Sequence, residues 1–533
     1  GIYAAGIGGG ISGSGVSFTT GTGGRALIVA NGGIGDKSNL NSWSGIIFEG
    51  DNGTVYQDQS LQEDLEIPSG KTLTVPENTT LTVNSGVTLT NDGTIENNGT
   101  ITNNGTINGS GTITGSGKIE GNQPAMPAVS YLTCDENGQN WETKNCTNYT
   151  LVESSTTTWS DGWYVVNGAV TIDSRVTVSG DVHLILANGA SLTVNNDINV
   201  KDGNSFTVYA QSTDTAMGIL TAKNTDMDEA GIGGGSWENA GIITINGGNV
   251  TATGGTFAAG IGGGDKGSGG TITINGGNVT ATGGSSGAGI GGGYSGSGGK
   301  ITINDGKVTA KGGNLSAGIG SGNKASSGGD ITINGGIVTA TGAGGAGIGG
   351  GHVSPAGTVI ITGGIVTATG GNEEAGIGSG KYGSGGSVTI SGGSVTATGG
   401  KYGAAGIGAG LEGSGVTFQT GANGDALIIA NGGIGDKSSQ SSWSGIIFDG
   451  DDVGAYGNQT ISPNLEITGN QTLTVPEGST LTIPQGVTLT CDTTLTNDGT
   501  IAGDGTLDGT GTLEGSGTVA DTITNNLQKD TAV

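Results

Sequence analysis

One hexapeptide, AGIGGG or a close variant, returns through the middle of the chain at nearly constant spacing. Successive copies lie 29 residues apart five times and 30 residues apart once, and they begin at Ala230, Ala259, Ala288, Ala317, Ala346, Ala375 and Ala405. Each copy is followed by a spacer, a TITI block, an NGG turn and a VTAT block, or close variants of these. A fixed period of this kind is typical of stacked repeat proteins, so one copy is predicted to form one coil of a solenoid.

Alternation of side chains predicts the strands of a coil. In the TITI block at residues 271–274, the two isoleucines point to one side of a strand and the two threonines to the other. The same pattern puts Val279 and Ala281 inside, while Ile261 is the one large apolar residue of the AGIGGG block. We therefore predict an all-β protein, a parallel β-helix (β-solenoid) in tandem units. A coil of 29 residues exceeds the roughly 18 of three hexapeptides, so we favour a right-handed winding.

A second, larger repeat sets the domain organisation. Residues 1–120 align without a gap on residues 401–520, and Trp43, for example, matches Trp443. The chain is expected to be a piece of a longer array of such units. The predicted segments are the C-terminal part of one solenoid unit (1–120), a linker with Pro124 and Pro127 (121–129), an aromatic-rich capping segment (130–165), the solenoid of a complete unit (166–520, with its glycine-rich coils at 230–404) and a tail or the start of the next linker (521–533).

The composition excludes several classes of function. With 118 glycines, 8 prolines and 4% aromatic residues in 533, the chain cannot build an ordinary large core, yet its strict apolar periodicity argues against disorder. The net charge of −28, with only 17 Lys and Arg, argues against binding nucleic acid or an anionic membrane. No apolar run approaches the length of a membrane span, so no membrane insertion is expected within this segment.

The segment at residues 130–165 is the only aromatic-rich part of the chain, and two interpretations of it are open. It contains Trp141, Trp159 and Trp163, with several tyrosines. A solenoid leaves an open sheet edge at its end, so a bulky terminal coil would serve as an N-terminal cap. Alternatively, the three tryptophans would form a platform for a ligand.

Three cysteines are too few for a disulfide scaffold, and their spacing fits no metal site. Cys134 and Cys146 are near enough in sequence to form a disulfide if the chain is exported, whereas Cys491 is interpreted as a small buried residue. No cofactor is expected.

Three other functions are weighed against simpler explanations. Outward T-x-T pairs such as Thr280 and Thr282 resemble ice-binding arrays, but Lys311 interrupts the row. Calcium is possible at the GGIGD motifs and nearby acidic loops, although the motif lacks one residue of the calcium nonapeptide and solvated turns are commoner; these residues are Asp36, Glu49, Asp51, Asp436, Asp449, Asp451, Asp452, Asp226, Asp228 and Glu229. Catalysis by a lyase or hydrolase needs convergent carboxylates with a base or an arginine, and the few candidates are scattered: Arg25, Arg175, His183 and His352. The chain is therefore predicted not to be an enzyme.

The AGIGGG, TITINGG and VTATGG blocks, the segment that begins WSDGWYVVNGAV, and the closing NDGTIENNGTI series together resemble a protein family. They are similar to the large glycine-rich repeat surface proteins of Gram-positive gut bacteria, often labelled carbohydrate-binding-domain-containing or adhesin-like. The resemblance implies export, a cell-surface location and tandem β-helices. It implies host or cell-wall glycans as partners, without assigning residues to bind them.

These observations lead to one principal hypothesis and one alternative. The chain is predicted to be an extracellular structural or adhesive β-solenoid, a spacer or fibre-forming segment that associates end to end. The alternative is a glycan-binding module that uses the aromatic segment around Trp141, Trp159 and Trp163.

Overall fold

The computed structural model describes residues 7, 17–20, 26–109, 111–122, 127–224, 227–421 and 424–529. Apart from two short 3-10 helices, Leu40–Ser42 and Gln440–Ser442, the regular elements of these residues are β-strands, paired mostly in parallel. The prediction of a parallel β-helix is confirmed. The chain divides into two compact units, Gly1–Val129 with Asn145–Tyr149, and Ser130–Lys144 with Thr150–Val533. Of the predicted linker, Pro124 lies outside the described residues.

The second unit contains a stack of wide coils, each contributing three strands that pair with their equivalents one coil further on. The Ile-Gly ladder comprises Ile198–Asn199, Ile232–Gly233, Ile261–Gly262, Ile290–Gly291, Ile319–Gly320, Ile348–Gly349, Ile377–Gly378 and Ile407–Gly408. The Thr-Ile ladder comprises Ser205–Ala210, Ile242–Ile245, Thr271–Ile274, Lys300–Ile303, Asp330–Ile333, Thr358–Ile361, Ser387–Ile390 and Thr417–Thr420. The Val-Ala ladder comprises Ala169–Ile172, Ser191–Val194, Ile219–Lys223, Asn249–Thr253, Asn278–Thr282, Lys307–Lys311, Ile337–Thr341, Ile365–Thr369, Ser394–Thr398 and Leu427–Asn431.

The register of these ladders places like residues on like residues. Ile272 pairs with Ile301, and Val279 pairs with Val308. All four side chains are buried, as is Ile261 of the Ile-Gly ladder. The predicted inward alternation is therefore confirmed. Each coil alone has too little apolar surface for a core, and stacking supplies it.

The stack begins with longer strands. Thr150–Leu151 pairs with Thr158–Val166, which pairs in turn with the eleven-residue strand Val176–Leu186. The first part of Val176–Leu186 pairs with Ile198–Asn199, and its last six residues pair with Ser205–Ala210. The Ile-Gly and Thr-Ile ladders therefore both start from this one strand.

The wide coils end at a β-hairpin, Gly445–Asp449 with Asp452–Tyr456, which belongs to the same sheet as the Val-Ala ladder. The first hairpin strand runs parallel to Leu427–Asn431, and the second is parallel to the narrow-coil strand that follows it. Ile447 packs into the wide-coil core, whereas Ile446 and Phe448 pack into the next core. This explains why the sequence IIF does not alternate, since both faces of the strand are buried.

Two features of the sheet reverse together at this hairpin. The strands run in the opposite direction after it. The core also changes from one face of the sheet to the other. Because both reverse while the stack continues in the same direction, the sense of winding is the same before and after the hairpin.

Narrow coils of the hexapeptide series follow the hairpin. Leu489 pairs with Leu507 and Ile501 with Val519, 18 residues apart in each case, as three hexapeptides per coil require. Their strands form three faces: Thr472–Val475, Thr494–Asn497, Thr512–Glu514 and Gln528–Lys529; Asn458–Thr460, Thr480–Ile483, Thr500–Gly503 and Thr518–Val519; Leu465–Ile467, Thr488–Cys491, Thr506–Asp508 and Thr524–Asn525.

The first unit repeats this arrangement. The hairpin Gly45–Glu49 with Asn52–Tyr56 again precedes narrow coils, in which Ile101 pairs with Ile119. Its strands form three sheets: Leu27–Ala30, Gly45–Glu49, Asn52–Tyr56, Thr72–Val75, Thr94–Asn97 and Thr112–Thr114; Gln59–Leu61, Thr80–Val83, Thr100–Asn103 and Lys118–Gly121; Leu65–Ile67, Thr88–Asn91 and Thr106–Asn108.

Candidate functional site

Part of the aromatic-rich segment forms a hairpin, residues 130–144, along the side of the wide-coil stack. The strands Val129–Thr133 and Glu142–Cys146 pair in a two-stranded sheet. Asp135 closes the tip by accepting hydrogen bonds from the backbone N–H groups of Asn137 and Gln139. The bond from Gln139 is the main cause of a lowered pKa of the Asp135 carboxyl.

Polar contacts fix this side hairpin across several coils. The Gln211 amide donates to the Ser130 carbonyl at 3.1 Å, and the Cys134 thiol donates to Asn246 Oδ1 at 3.9 Å. Two coils beyond Asn246, Asn304 Nδ2 donates to the Glu136 carbonyl at 3.4 Å. The hairpin thus lies against a column of asparagines, one in each NGG or NDG turn.

Trp141 lies next to this column, above the turns of the Thr-Ile ladder. Its indole lies against Gly276, where a β-carbon would meet the ring at 3.3 Å, and the side chain remains 38% exposed. A groove of about 260 Å³ opens beside it, lined by Trp141, Ser212, Thr213, Met217, Asn246, Gly247, Gly276, Gly277, Asn278, Asp305, Gly306 and Lys307. The groove thus places an exposed aromatic face beside amide, carboxylate and ammonium groups.

The predicted ligand platform of three tryptophans is wrong for Trp159. That side chain is fully buried, stacks near Tyr164 and Phe206, and donates from Nε1 to the Thr156 carbonyl at 3.0 Å. It belongs to the core because it pairs with the buried Val178, and a register shift between Ser160 and Gly162 breaks the alternation before Trp163. Trp159 therefore has no surface to offer a ligand.

Trp163 is half-buried in an aromatic cluster on the opposite face of the same strand. Its ring stacks on His183 at 4.4 Å between ring centres, and it contacts Tyr131 at 4.7 Å. Tyr209 completes the cluster, and burial raises the pKa of Tyr209 to about 12. Trp163 thus fastens the side hairpin to the first coils, and Trp141 alone of the three faces the groove.

The possible disulfide between Cys134 and Cys146 is absent, and both thiols are free. The Cys134 thiol faces Asn246, whereas the Cys146 thiol donates to the Asn148 carbonyl at 3.3 Å, so the two sulfurs have separate partners. Burial raises the pKa of the Cys134 thiol to about 11. Cys491 is buried, as predicted.

Carboxylates of the GGIGD motifs and of the acidic loops that follow them accept hydrogen bonds from backbone N–H groups. Asp436 accepts from the N–H groups of Ser438 and Phe418, and Asp449 accepts from the N–H of Ile434 and pairs with Lys437. The bond from Ser438 lowers the pKa of Asp436. Asp36 and Glu49 make the equivalent bonds in the first unit. Within the described ranges no group of three or more His, Cys, Asp or Glu is arranged to hold a metal. Asp226 lies outside those ranges, and calcium binding stays a prediction.

A buried ionic cluster lies at the start of the wide coils. Arg175 donates from Nε to Asp197 at 2.9 Å and also pairs with Glu229. Asp197 is fully buried, and burial raises its pKa to about 6 despite the arginine. The side-chain atoms Asp197 Oδ2 and Glu229 Oε2 are buried without a hydrogen-bond partner. The cluster joins successive coils and has no opening toward a substrate at Asp197.

The other candidate catalytic residues are not brought together. His183 lies 3.3 Å from Asp181, whereas His352 lies 3.2 Å from Glu374, many coils away. Arg25 lies outside the described residues. Lys311 pairs in register with Thr282, so the threonine row of the Val-Ala ladder is interrupted as the sequence indicates. Among the residues that the structure describes, no helix has the length and apolarity to cross a membrane.

Sequence reasoning missed one group of exposed side chains, in the turns after the AGIGGG blocks. They include Trp237 and Tyr382, which are 71% and 49% exposed. The sequence does contain a signal for them: the two residues that follow each AGIGGG block vary from coil to coil, while the blocks on either side are nearly constant.

Comparison with known proteins agrees with the coils seen in the structure. Six consecutive segments match the family model of the "Beta helix repeat", at residues 243–265, 272–294, 301–323, 331–352, 359–381 and 388–411. Each match spans one strand from each of the three ladders, so each matched β-helix repeat corresponds to one wide coil of the structure. The repeat occurs in non-enzymatic proteins and in pectate lyase-like enzymes. No curated protein and no solved structure matches the chain.

Proposed function

We propose that the chain is an extracellular structural or adhesive β-solenoid, a spacer or fibre-forming segment of a large repetitive surface protein. The observation that carries this proposal is the unbroken register of the wide-coil stack. From Ile198 to Ile407 the Ile-Gly strands pair one coil at a time without a shift. Because each coil contacts chiefly its neighbours, coil number sets length.

Location outside the cell is part of the same proposal. The strong acidity suits a long surface-exposed protein, and the large repeat of about 400 residues suits a tandem array. The resemblance to glycine-rich surface proteins supports export.

Duplicating coils tests the spacer function. Insertion of four further copies of residues 288–316 should lengthen the particle by roughly 19 Å, four times the strand spacing. Electron microscopy of negatively stained particles would measure the change. A particle of unchanged length, or one that fails to fold, would contradict the proposal.

End-to-end association is the way we propose such units assemble. Terminal strands of a solenoid present unpaired backbone groups, and a head-to-tail contact between them continues without closing. Light scattering over a concentration series should show growing linear species. Monomers at every concentration would leave spacing within one chain as the function.

A second candidate function, glycan binding, is favoured by the groove beside Trp141. Its exposed indole lines the same groove as Asn278, Asp305 and Lys307, which supply donors and acceptors for hydroxyl groups. A glycan array probed with the intact chain and with Trp141→Ala tests it. Loss of signal in Trp141→Ala, with signal kept in the exposed neighbour variant Thr143→Ala, would support this function; equal signal in both variants would oppose it.

A further inference from the structure

In seven of the wide coils, one turn carries a side chain at a position where glycine would be easier to accommodate. Two residues follow each AGIGGG block, and the second has a positive φ of 56° to 64° in seven consecutive coils: Trp237, Lys266, Ser295, Lys324, Val353, Tyr382 and Glu412. A β-carbon is strained in this left-handed region, whereas glycine is not. Elsewhere in the same coils, positive φ is filled by glycine, as at Gly262 and Gly277.

The backbone explains the unusual φ but not the side chains. Trp237 N–H donates to the Asp265 carbonyl of the next coil at 2.8 Å, and Lys266 N–H donates to the Tyr294 carbonyl at 2.8 Å. The same bond recurs up to Tyr382, whose N–H donates to Leu411 at 3.1 Å. Glycine would make each of these bonds equally well. Since a chain with 118 glycines places none here, the strain indicates that the side chains themselves have a use.

The aromatic residues of the stack lie in these turns and in the loops beside them. Residues 230–416 contain five aromatic residues, and all five lie in the two-residue turns or in the loops that follow the VTAT blocks: Trp237, Phe257, Tyr294, Tyr382 and Tyr402. The two rows touch, since Tyr294 N–H donates to the Phe257 carbonyl at 2.7 Å. Trp237 and Tyr402 are 71% and 65% exposed. We call these two rows of turn residues the variable edge.

Polar side chains lie next to the exposed rings. Lys266 Nζ lies 3.5 Å from the centre of the Trp237 ring, and Lys381 Nζ lies 4.9 Å from that of Tyr382. Lys381 is itself held by Glu373 at 2.8 Å. Each ring therefore combines an exposed apolar face with an adjacent hydrogen-bond donor, the combination that an amphipathic ring such as a sugar requires.

The arrangement of the variable edge selects among partners. Its positions follow the stacking direction at intervals of about 4.8 Å while their side chains differ from coil to coil, so a matching ligand is extended and contacts several coils at once. The backbone N–H groups of the turns are already bonded between coils, which excludes addition of a peptide strand. The chain's net charge of −28 disfavours a polyanion. We propose that the variable edge binds a neutral polysaccharide chain lying along the stack, which names a ligand class for the adhesive role proposed above and rests on it.

Glycine substitution tests the edge without disturbing the fold, because glycine accepts the positive φ of these turns. The test variant is Trp237→Gly with Tyr382→Gly, and the matched control is Ser295→Gly with Val353→Gly, at the same turn positions without rings. Soluble neutral polysaccharides (a glucan, a mannan and a galactan) and the acidic polygalacturonate serve as probes in affinity electrophoresis. Thermal unfolding checks that both variants fold.

We expect the intact chain to be retarded by at least one neutral polysaccharide, and the aromatic variant to bind it at least about tenfold more weakly. The control variant should bind as the intact chain does. Retardation by polygalacturonate alone, no retardation by any probe, or equal loss in both variants would overturn the proposal. The particle-length experiment is independent of these variants, so failure of polysaccharide binding and failure of the spacer function give different results.

Discussion

Asn275 donates a hydrogen bond from its Nδ2 to Oδ1 of Asn246, one coil earlier, at 2.8 Å. Asn304 and Asn334 repeat this bond at 2.7 and 2.8 Å, and the Thr362 hydroxyl ends the series on Asn334 Oδ1. Asn246, Asn275 and Asn304 are buried, so each of their amides depends on the neighbouring asparagine for a hydrogen-bond partner. The amide ladder therefore fixes the register of the NGG turns and gives the side hairpin a polar surface to bind.

Removing one amide from this ladder should destabilise the stack. Asn275→Ala leaves Asn246 Oδ1 without its amide donor and Asn304 Nδ2 with only the longer bond to Glu136. We expect a loss of about 1–3 kcal/mol in the free energy of unfolding, the usual penalty for unpaired buried polar groups. Urea titration followed by circular dichroism would measure it.

The matched control is Asn278→Ala, in the same coil. Asn278 donates to Asn249 at 2.8 Å in the same geometry, but on the exposed surface. Its removal should change the free energy of unfolding by less than about 0.5 kcal/mol, because water replaces the partner. Equal losses in the two variants would contradict the assignment of stability to burial.

The inward-facing residues of the coils follow from sequence because they depend on local alternation. At residues 271–274 the period of two alone predicts which side chains are buried. The hairpin strand Gly445–Asp449 departs from that period because its two faces contact different cores. Such a contact is set by the arrangement of coils, which no local pattern contains.

The candidate site was less accessible to sequence reasoning for the same reason. Trp141 gains its position from a hairpin that bonds to Asn304, and Glu136 is 168 residues from that asparagine in sequence. Trp159, only 18 residues beyond Trp141, is instead a core residue. The variable edge was missed because a positive φ at Trp237 cannot be read from residue type.

Two nearby residues with positive φ, one in a strand and one in a turn, should respond oppositely to substitution. Gly262→Ala would bring a β-carbon to 1.9 Å from the Gly291 carbonyl oxygen at a φ of +136°, so we expect a loss of more than about 2 kcal/mol. Lys266→Gly should be neutral or stabilising by up to about 1 kcal/mol, because it relieves a left-handed lysine. Chemical unfolding of both variants checks this; a large loss in Lys266→Gly would mean that its side chain supports the fold.

The buried carboxyl of Asp197 should make stability depend on pH. Its pKa is raised from 3.8 to about 6, so the folded state binds the proton more tightly than the unfolded state does. The resulting stabilisation is fully present below about pH 4 and is lost as pH rises through 6. Between pH 4 and 6 we expect the unfolding temperature of Asp197→Asn to fall less steeply with rising pH than that of the intact protein.

A control separates this effect from the general acidity of the chain. Asp173→Asn changes an exposed carboxylate that accepts a bond from Asn195 in the same region. Differential scanning calorimetry should give it the same slope as the intact protein. A slope reduced equally in Asp173→Asn would assign the pH dependence to overall charge.

Removal of one whole coil should leave the stack intact. Deleting residues 259–287 joins Ala258 to Ala288, and the strands on either side keep the spacing that pairs Ile232 with Ile261 and Ile261 with Ile290. The shortened protein should lose about 4.8 Å in length and little stability per remaining coil. Deleting residues 259–272 instead removes half a coil, so apolar strands no longer meet their equivalents and a register error turns them outward. Thermal unfolding of both deletions measures the difference. If the two deletions destabilised the protein equally, coils would not be independent units, and coil number could not set length.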